Sequence, residues 1–260
     1  MVLTPEEVLE FFEVGYLIRD RLFTEPEIKA IQESFDRIHQ LSRTMHETQV
    51  YQGSQFVYTE GRLDRIVWCS GVAPELQKAG EDPRITKIVS ELLDSPRQID
   101  QLICQAHIKS PQDGVEFPWH QDSEHRGYGT EGWVDLNHKG SYVQTLMALD
   151  DLTAENGAPS FIPRSGAKGH LALNLCDDPT KLVDFSKAVP LYLPRGSVAF
   201  FGPYVVHGSF ENRSPGLRRV FINGYAYPGA NRRNYPGCGL GHRIDLDVSR
   251  ESDSPQPRQF

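Results

Sequence analysis

A short segment near the middle of the chain, residues 117–122, reads Phe-Pro-Trp-His-Gln-Asp and offers an imidazole and a carboxylate two positions apart. In an extended segment, side chains at i and i+2 point to the same face, so His120 and Asp122 would approach one metal ion together. His207 is a candidate third ligand because it follows a predicted strand over residues 196–201. Two imidazoles and a carboxylate on one side of a metal leave the other side open, as in the facial triad of non-haem Fe(II) oxygenases.

This donor set favours iron over a structural zinc site. Imidazole nitrogen and carboxylate oxygen suit Fe(II), and no cysteine accompanies the three residues. Two alternatives stay open on spacing alone. Zn²⁺ or Mn²⁺ on the same ligands would give a cupin-like hydrolase or isomerase, and a degenerate jelly roll would give a non-catalytic binding protein. A His and an Asp hydrogen-bonded to loop backbone would be the alternative to a metal site. With nine histidines in the chain, an HxD pair also arises by chance.

Arg218 lies eleven residues after His207, beside a predicted strand over residues 219–227. A guanidinium is permanently charged and binds a carboxylate through two parallel hydrogen bonds, so this residue could anchor a dicarboxylate cosubstrate. An exposed charge at the edge of a strand is the alternative interpretation.

Composition excludes several classes of function. The 27 basic and 35 acidic residues give a net charge of −8 without a basic run, which argues against nucleic acid as a partner. The first residues lack the blocks of a signal peptide, and no apolar run reaches the roughly 20 residues of a membrane helix. We therefore expect no membrane association and a cytoplasmic location. The four cysteines form no CxxC pair and are expected to be free thiols: Cys69, Cys104, Cys176 and Cys238.

Helical patterns dominate the first part of the chain, and β-rich patterns dominate the rest. Helices are predicted from Pro5, after Thr24, and over residues 74–79 and 83–93. Residues 41–61 are polar and predict an irregular segment with short pieces of strand. Strands are predicted over residues 15–19, 63–69, 98–109, 141–150, 159–163, 191–201 and 219–227. The order predicts an α+β fold, a β-sandwich backed by N-terminal helices, in one domain over 1–260 with a loose polar tail at about 248–260.

The chain also resembles the phytanoyl-CoA dioxygenase family, over roughly residues 15–227. His207 and Arg218 complete the order of that family's site at the expected separation. The segments that carry the resemblance are Phe-Pro-Trp-His-Gln-Asp at 117–122, Leu-Met-Ala-Leu-Asp-Asp at 146–151, Glu-Asn-Gly-Ala at 155–158 and Ile-Pro-Arg-Ser-Gly at 162–166. The last departs from many relatives, which have Gly-Ser-His where this chain has Arg-Ser-Gly, and this puts the packing of that loop in question.

The resemblance implies a double-stranded β-helix core, also called a jelly-roll or cupin-like core, flanked by N-terminal helices. It implies an Fe(II)- and 2-oxoglutarate-dependent dioxygenase that uses O₂, most simply a hydroxylase acting on a small organic molecule. His120, Asp122 and His207 would then bind iron as the catalytic centre, and Arg218 would hold the distal carboxylate of 2-oxoglutarate. Halogenases of this superfamily have a small residue in place of the metal carboxylate, so Asp122 argues against chlorination.

The same resemblance implies that further residues line the cosubstrate pocket. Gln105 is similar to a glutamine that lines the cosubstrate pocket in ectoine hydroxylase-like members, and Thr145 or Gln144 could serve the same pocket. Because side chains alternate along a strand, only one of these two neighbours should face inward. His125 is expected in a loop over the site. The sequence leaves the substrate, the oligomeric state and the choice between hydroxylation and desaturation or cyclisation open.

Overall fold

Helix-start signals in the N-terminal third produce helices where the sequence predicts them. A computed structural model describes residues 1–246, so the predicted tail lies outside the described residues. The Thr4 hydroxyl accepts the N–H of Glu7 at 3.2 Å, and the Glu7 carboxylate accepts the N–H of Thr4 at 2.9 Å, which caps the first helix. The helices are α1 Pro5–Val14, α2 Glu25–Ser42, α3 Glu75–Gly80, α4 Pro83–Leu93 and α5 Asp122–Arg126, with short 3-10 turns between other elements.

The strands form a large and a small antiparallel sheet. In spatial order the large sheet contains β1 Tyr16–Arg19, β10 Val198–Phe201, β7 Tyr142–Ala148, β12 Arg218–Ala226, β5 Gln98–Lys109, β4 Arg62–Val67, β3 Ser54–Thr59 and β2 Gln49–Tyr51, with β13 His242–Asp245 also paired to β5. The small sheet contains β6 Phe117–His120, β11 Val206–Ser209, β8 Pro159–Ile162 and β9 Val189–Pro190.

Successive strands pass repeatedly from one sheet to the other. From β5 to β8 the chain alternates between the large and the small sheet, and it alternates again from β9 to β12. This winding gives the double-stranded β-helix, and the predicted α+β fold with a cupin-like core is confirmed. None of the helices within residues 1–246 combines the length and the apolar character that crossing a bilayer requires.

Residues 41–61 are more regular than the sequence predicts. Two hairpins extend the large sheet here, with tight turns at Gln52-Gly53 and Glu60-Gly61. The φ angles are +48° and +79° in the first turn and +52° and +75° in the second. Two consecutive left-handed residues give the turn whose twist matches a two-residue hairpin. The Gln-Gly and Glu-Gly dipeptides indicate hairpin turns, but the polar character of the flanking segments gave no clear strand pattern.

The large sheet has apolar contacts on both faces. On its outer face α2 packs against β12, where the Phe35 and Phe221 rings meet edge to face with centroids 5.9 Å apart. Between the sheets Phe161 and Phe201 meet in the same way at 4.9 Å. All four cysteines are free. The helices thus support one face of the large sheet and leave the other face for a cavity.

Candidate metal centre

Strand pairing brings the two predicted histidine ligands together. β6 and β11 are antiparallel neighbours, and His207 lies directly opposite His120 in their register. Asp122 follows β6 as the first residue of α5, and Gln121 between them keeps an extended backbone at φ −110° and ψ 141°. The i, i+2 relation of the strand therefore persists to Asp122, and its carboxylate lies on the same side as the two imidazoles.

The three side chains form a set that could hold one ion. One ligand atom from each of His120, Asp122 and His207 lies within 4.8 Å of the others. The Nδ1 atoms of the two histidines lie 2.7 Å from the Pro118 carbonyl oxygen and 3.0 Å from the Val205 carbonyl oxygen. A carbonyl only accepts, so each Nδ1 carries the proton and donates it, leaving each Nε2 lone pair for a ligand.

The protein itself leaves a position for a cation here. Asp122 is buried, and its Oδ2 has no hydrogen-bond partner among the described residues. Burying a carboxylate without a partner is costly, and a bound cation would supply the missing partner. Burial, with a contribution from the neighbouring His120, lowers the pKa of His207 to about 4, so its imidazole is neutral near pH 7. Neutral imidazoles and an ionised carboxylate fit Fe(II).

A cavity of about 340 Å³ opens beside the triad, between the two sheets, and Arg218 lines it. Arg218 is 1% exposed, and its Nε and Nη2 atoms have no hydrogen-bond partner in the described part of the chain. Burial lowers its pKa to about 10, although Asp113 and Asp150 act in the opposite direction. No carboxylate of residues 1–246 lies within 4.0 Å of this guanidinium, which therefore remains available to an anionic ligand.

The other residues predicted to bind the cofactor differ in whether their side chains line the cavity. Gln105 lines the cavity, with its Oε1 3.0 Å from Nε2 of His107. Gln144 also lines the cavity, whereas Thr145 does not: its hydroxyl donates to the Asn223 carbonyl at 3.3 Å. Of the two neighbours that sequence left as alternatives, Gln144 therefore faces inward. Placing Thr145 in the cofactor pocket is corrected, because strand alternation turns its side chain away from the cavity.

Other cavity residues belong to elements that the sequence did not resolve. His125 lies on α5, not in a loop, and its ring centroid is 5.3 Å from that of His120. Arg126 on the same helix also lines the cavity, and the sequence analysis missed it. Its position four residues after Asp122 would have been the signal, because i and i+4 share a helix face. Tyr235 and Arg65 were missed as well, and no local motif marks them.

Comparisons with known proteins agree with this geometry. Residues 11–220 match the family described as "Phytanoyl-CoA dioxygenase (PhyH)". An ectoine dioxygenase of Bordetella bronchiseptica is 22% identical over 271 residues, covering 96% of this chain and 83% of the relative. EctD from S. alaskensis, solved with 2-oxoglutarate and 5-hydroxyectoine, has a TM-score of 0.70 at 18% identity, covering 88% of this chain and 78% of that chain.

A second solved structure has the same architecture. The non-haem α-ketoglutarate-dependent carbocyclase SnoK from nogalamycin biosynthesis has a TM-score of 0.67 at 19% identity, covering 86% of this chain and 84% of that chain. At such identities the structural likeness establishes the fold, whereas the family match spans most of the sequence. The chain belongs to the phytanoyl-CoA dioxygenase family and, with it, to the Fe(II)- and 2-oxoglutarate-dependent dioxygenases.

Proposed function

We propose that this protein hydroxylates a C–H bond of a small organic molecule. One O₂ supplies an oxygen atom to the product and an oxygen atom to 2-oxoglutarate, which leaves as succinate and CO₂. The observation that carries the proposal is the meeting, in one cavity, of a His-Asp-His set with an orphaned carboxylate oxygen and a buried arginine without a partner. A cytoplasmic location remains a prediction.

In this proposal His120, Asp122 and His207 hold Fe(II). Bound iron supplies the activation of O₂ that breaks an unactivated C–H bond. The backbone carbonyls that accept from the two Nδ1–H groups fix both imidazole tautomers and ring orientations. Because the three donors come from one side, the opposite side is free for the cosubstrate and O₂.

Arg218 binds the distal carboxylate of 2-oxoglutarate in the proposed complex. Two hydrogen bonds from one planar guanidinium would fix the direction of the diacid as well as its distance from the metal ligands. A hydrolase or isomerase on the same three ligands would need no anchor for 2-oxoglutarate. Arg218 thus favours the 2-oxoglutarate-dependent reaction over that alternative.

The cavity walls limit what else can enter. About 340 Å³ suits a small molecule, near the lower end of the range for ligand sites. Apolar side chains cover much of the wall and would exclude water during the reaction. They include Ile103, Leu146, Phe201, Val220 and Ile222. A compact substrate fits this enclosure better than a coenzyme A ester, which the sequence also disfavours because it lacks a basic cluster.

The test measures succinate formation and Fe(II) binding together. His120→Ala and His207→Ala should each abolish the Fe(II)-dependent conversion of 2-oxoglutarate to succinate, because two ligands cannot hold the metal in the required geometry. Fe(II) binding under anaerobic conditions should weaken in parallel, as followed by the visible charge-transfer absorption of the Fe(II)–2-oxoglutarate complex. The matched control is His46→Ala, an exposed histidine outside the cavity. Full activity in both triad variants, or turnover without 2-oxoglutarate, would contradict the proposal.

A further inference from the structure

A second buried guanidinium lies in the same cavity, and the reaction described above does not use it. Arg126 ends helix α5, one helical turn after Asp122, and its side chain lines the cavity. Positions i and i+4 of a helix lie on one face, so this side chain and the metal-ligating carboxylate face the same space. Arg126 is only 7% exposed, and the cavity therefore contains two desolvated cations, Arg126 and Arg218.

The charge of Arg126 is stabilised at a distance but has no direct carboxylate partner. Burial acts to lower its pKa, and Tyr142, Tyr235 and the Asp122 carboxylate one turn away more than offset that effect. Its Nε has no hydrogen-bond partner, and within residues 1–246 no carboxylate comes within 4.0 Å of its guanidinium. Its one side-chain contact of hydrogen-bond type joins Nη2 to the Gln144 Oε1 at 3.5 Å, which is long for such a bond. That oxygen already accepts the Tyr142 hydroxyl at 2.5 Å. Gln144 is therefore engaged by Tyr142 and only weakly by Arg126.

Aromatic rings hold the guanidinium in place without neutralising it. The Arg126 Cζ lies 5.1 Å from the Tyr142 ring centroid and 5.5 Å from that of Tyr235. Such contacts offset part of the cost of burying the cation, but they leave its Nε without a hydrogen-bond partner in the described chain. The Tyr235 hydroxyl is also buried without a hydrogen-bond partner in the described chain. Two unsatisfied polar groups thus occupy one end of the cavity, and both could donate to an anionic oxygen.

We propose that Arg126 and Tyr235 form the recognition site for an anionic group, of the carboxylate class, on the primary substrate. This inference rests on the proposed function, because it assigns the substrate of the same cavity. Arg218 already provides the anchor for the cosubstrate diacid, so a second unpaired guanidinium indicates a second anion. A neutral substrate would leave Arg126 unpaired in the complex, whereas an anionic group would recover the cost of the buried, unpaired guanidinium as binding free energy.

The experiment compares matched pairs of probes that differ only in charge. Acetate is compared with acetamide, and benzoate with benzamide, by calorimetric titration of the anaerobic protein loaded with Fe(II) and saturating 2-oxoglutarate. Saturation with 2-oxoglutarate occupies Arg218, so added anions report on the remaining site. We expect at least one acid to bind about tenfold or more tightly than its amide. We expect that ratio to fall to about 1 in Arg126→Gln.

Two further variants keep the test decisive. Tyr235→Phe removes one hydroxyl and should reduce the acid-to-amide ratio by a smaller factor, so it serves if Arg126→Gln does not fold. Arg213→Gln is the matched control: it removes the same charge from a side chain that is 72% exposed and paired with Glu211. The control should keep the ratio of the unaltered protein. Folding of each variant is checked by its Fe(II)–2-oxoglutarate absorption.

The two proposals fail in different ways. Equal binding of acid and amide for every pair in the unaltered protein would overturn the substrate assignment. So would an Arg126→Gln variant that raises the dissociation constant of 2-oxoglutarate while keeping the acid preference, because Arg126 would then serve the cosubstrate. Absence of succinate from Fe(II), O₂ and 2-oxoglutarate, with ascorbate supplied as the reductant that takes up the second oxygen atom in place of a substrate, would overturn the dioxygenase reaction. The acid-to-amide affinity ratio is measured without turnover, so it tests the substrate assignment independently of the dioxygenase reaction.

Discussion

Arg218 and Arg219 are neighbours at the start of β12, and their guanidinium groups lie on opposite faces of the large sheet. On the outer face, Arg219 binds the Asp150 carboxylate through Nε at 3.0 Å and Nη2 at 2.7 Å, and Nη1 donates to Asp36 at 2.6 Å. On the cavity face, Arg218 is more deeply buried, and its Nε and Nη2 have no hydrogen-bond partner among residues 1–246. The same side chain is thus fully paired on one face and unpaired on the other.

The difference separates a structural role from a binding role. A paired arginine contributes its hydrogen bonds to the folded state whether or not a ligand is present. An unpaired buried arginine costs the free protein stability, and that cost is recovered only when an anion arrives. The outer face of the large sheet is therefore a packing surface, whereas the inner face keeps the Arg218 guanidinium available to a ligand.

The largest expected effect comes from Arg218→Gln. We expect the dissociation constant of 2-oxoglutarate to rise by a factor corresponding to about 2–5 kcal/mol, because the variant removes one partner of a buried charge pair. Without 2-oxoglutarate the variant should be no less stable than the unaltered protein, since an uncompensated buried charge has been removed. Anaerobic titration with 2-oxoglutarate and urea unfolding measure the two quantities.

Arg219→Gln is the matched control, with the opposite pattern. It should leave 2-oxoglutarate affinity unchanged and lower the free energy of unfolding, because it breaks the two side-chain bonds to Asp150 and the bond to Asp36. The largely buried Asp150 carboxylate then loses its ion-pair partner and keeps only the Gln32 amide and the backbone N–H of residue 219 as donors. Equal effects of the two variants on 2-oxoglutarate binding would remove the distinction between the faces.

The sequence predicted the metal side of the cavity better than its far end. The His-x-Asp spacing placed two side chains on one face, and the family resemblance supplied His207 and Arg218. The orientation of Gln144 and Thr145 could not be read locally, because alternation gives two faces but not which one is inside. Pairing of Thr145 with Asn223 of the distant β12 decides it. The place of Arg126 in the cavity could not be predicted either, because it depends on helix α5, which begins just after β6 in a segment that the sequence predicted as a loop.

Lys109 is a basic residue of the inner face that does have hydrogen-bond partners, in contrast to Arg218. It lies opposite Arg218 in the register of β5 and β12, and its Nζ donates to the Ser209 hydroxyl at 2.8 Å and the Phe210 carbonyl at 2.6 Å. Burial lowers its pKa from 10.5 to about 6, and the like charge of Arg218 adds to this. Between these two pH values the unfolded chain holds more protons at this position than the folded chain.

Stability should therefore rise with pH across that window, with a contribution of at most about 1.4 kcal/mol per pH unit. Lys109→Met should remove this contribution. The free energy of unfolding of the unaltered protein minus that of the variant should therefore increase from pH 6.5 to pH 8.5. Urea unfolding at three pH values measures it. A pH-independent difference would mean that Lys109 stays protonated in the folded state.

The smallest expected effects concern the neighbours on β7. Thr145→Val removes the hydrogen bond to the Asn223 carbonyl at nearly constant volume and should lower the free energy of unfolding by about 1 kcal/mol. The affinity of this variant for 2-oxoglutarate should stay the same, because the Thr145 side chain does not line the cavity.

Gln144→Leu should instead weaken 2-oxoglutarate binding by about 1 kcal/mol, or roughly fivefold, since it removes an amide that faces the cavity. Reversed results, with 2-oxoglutarate binding sensitive to Thr145 and not to Gln144, would mean that the inner and outer faces of β7 have been assigned the wrong way round.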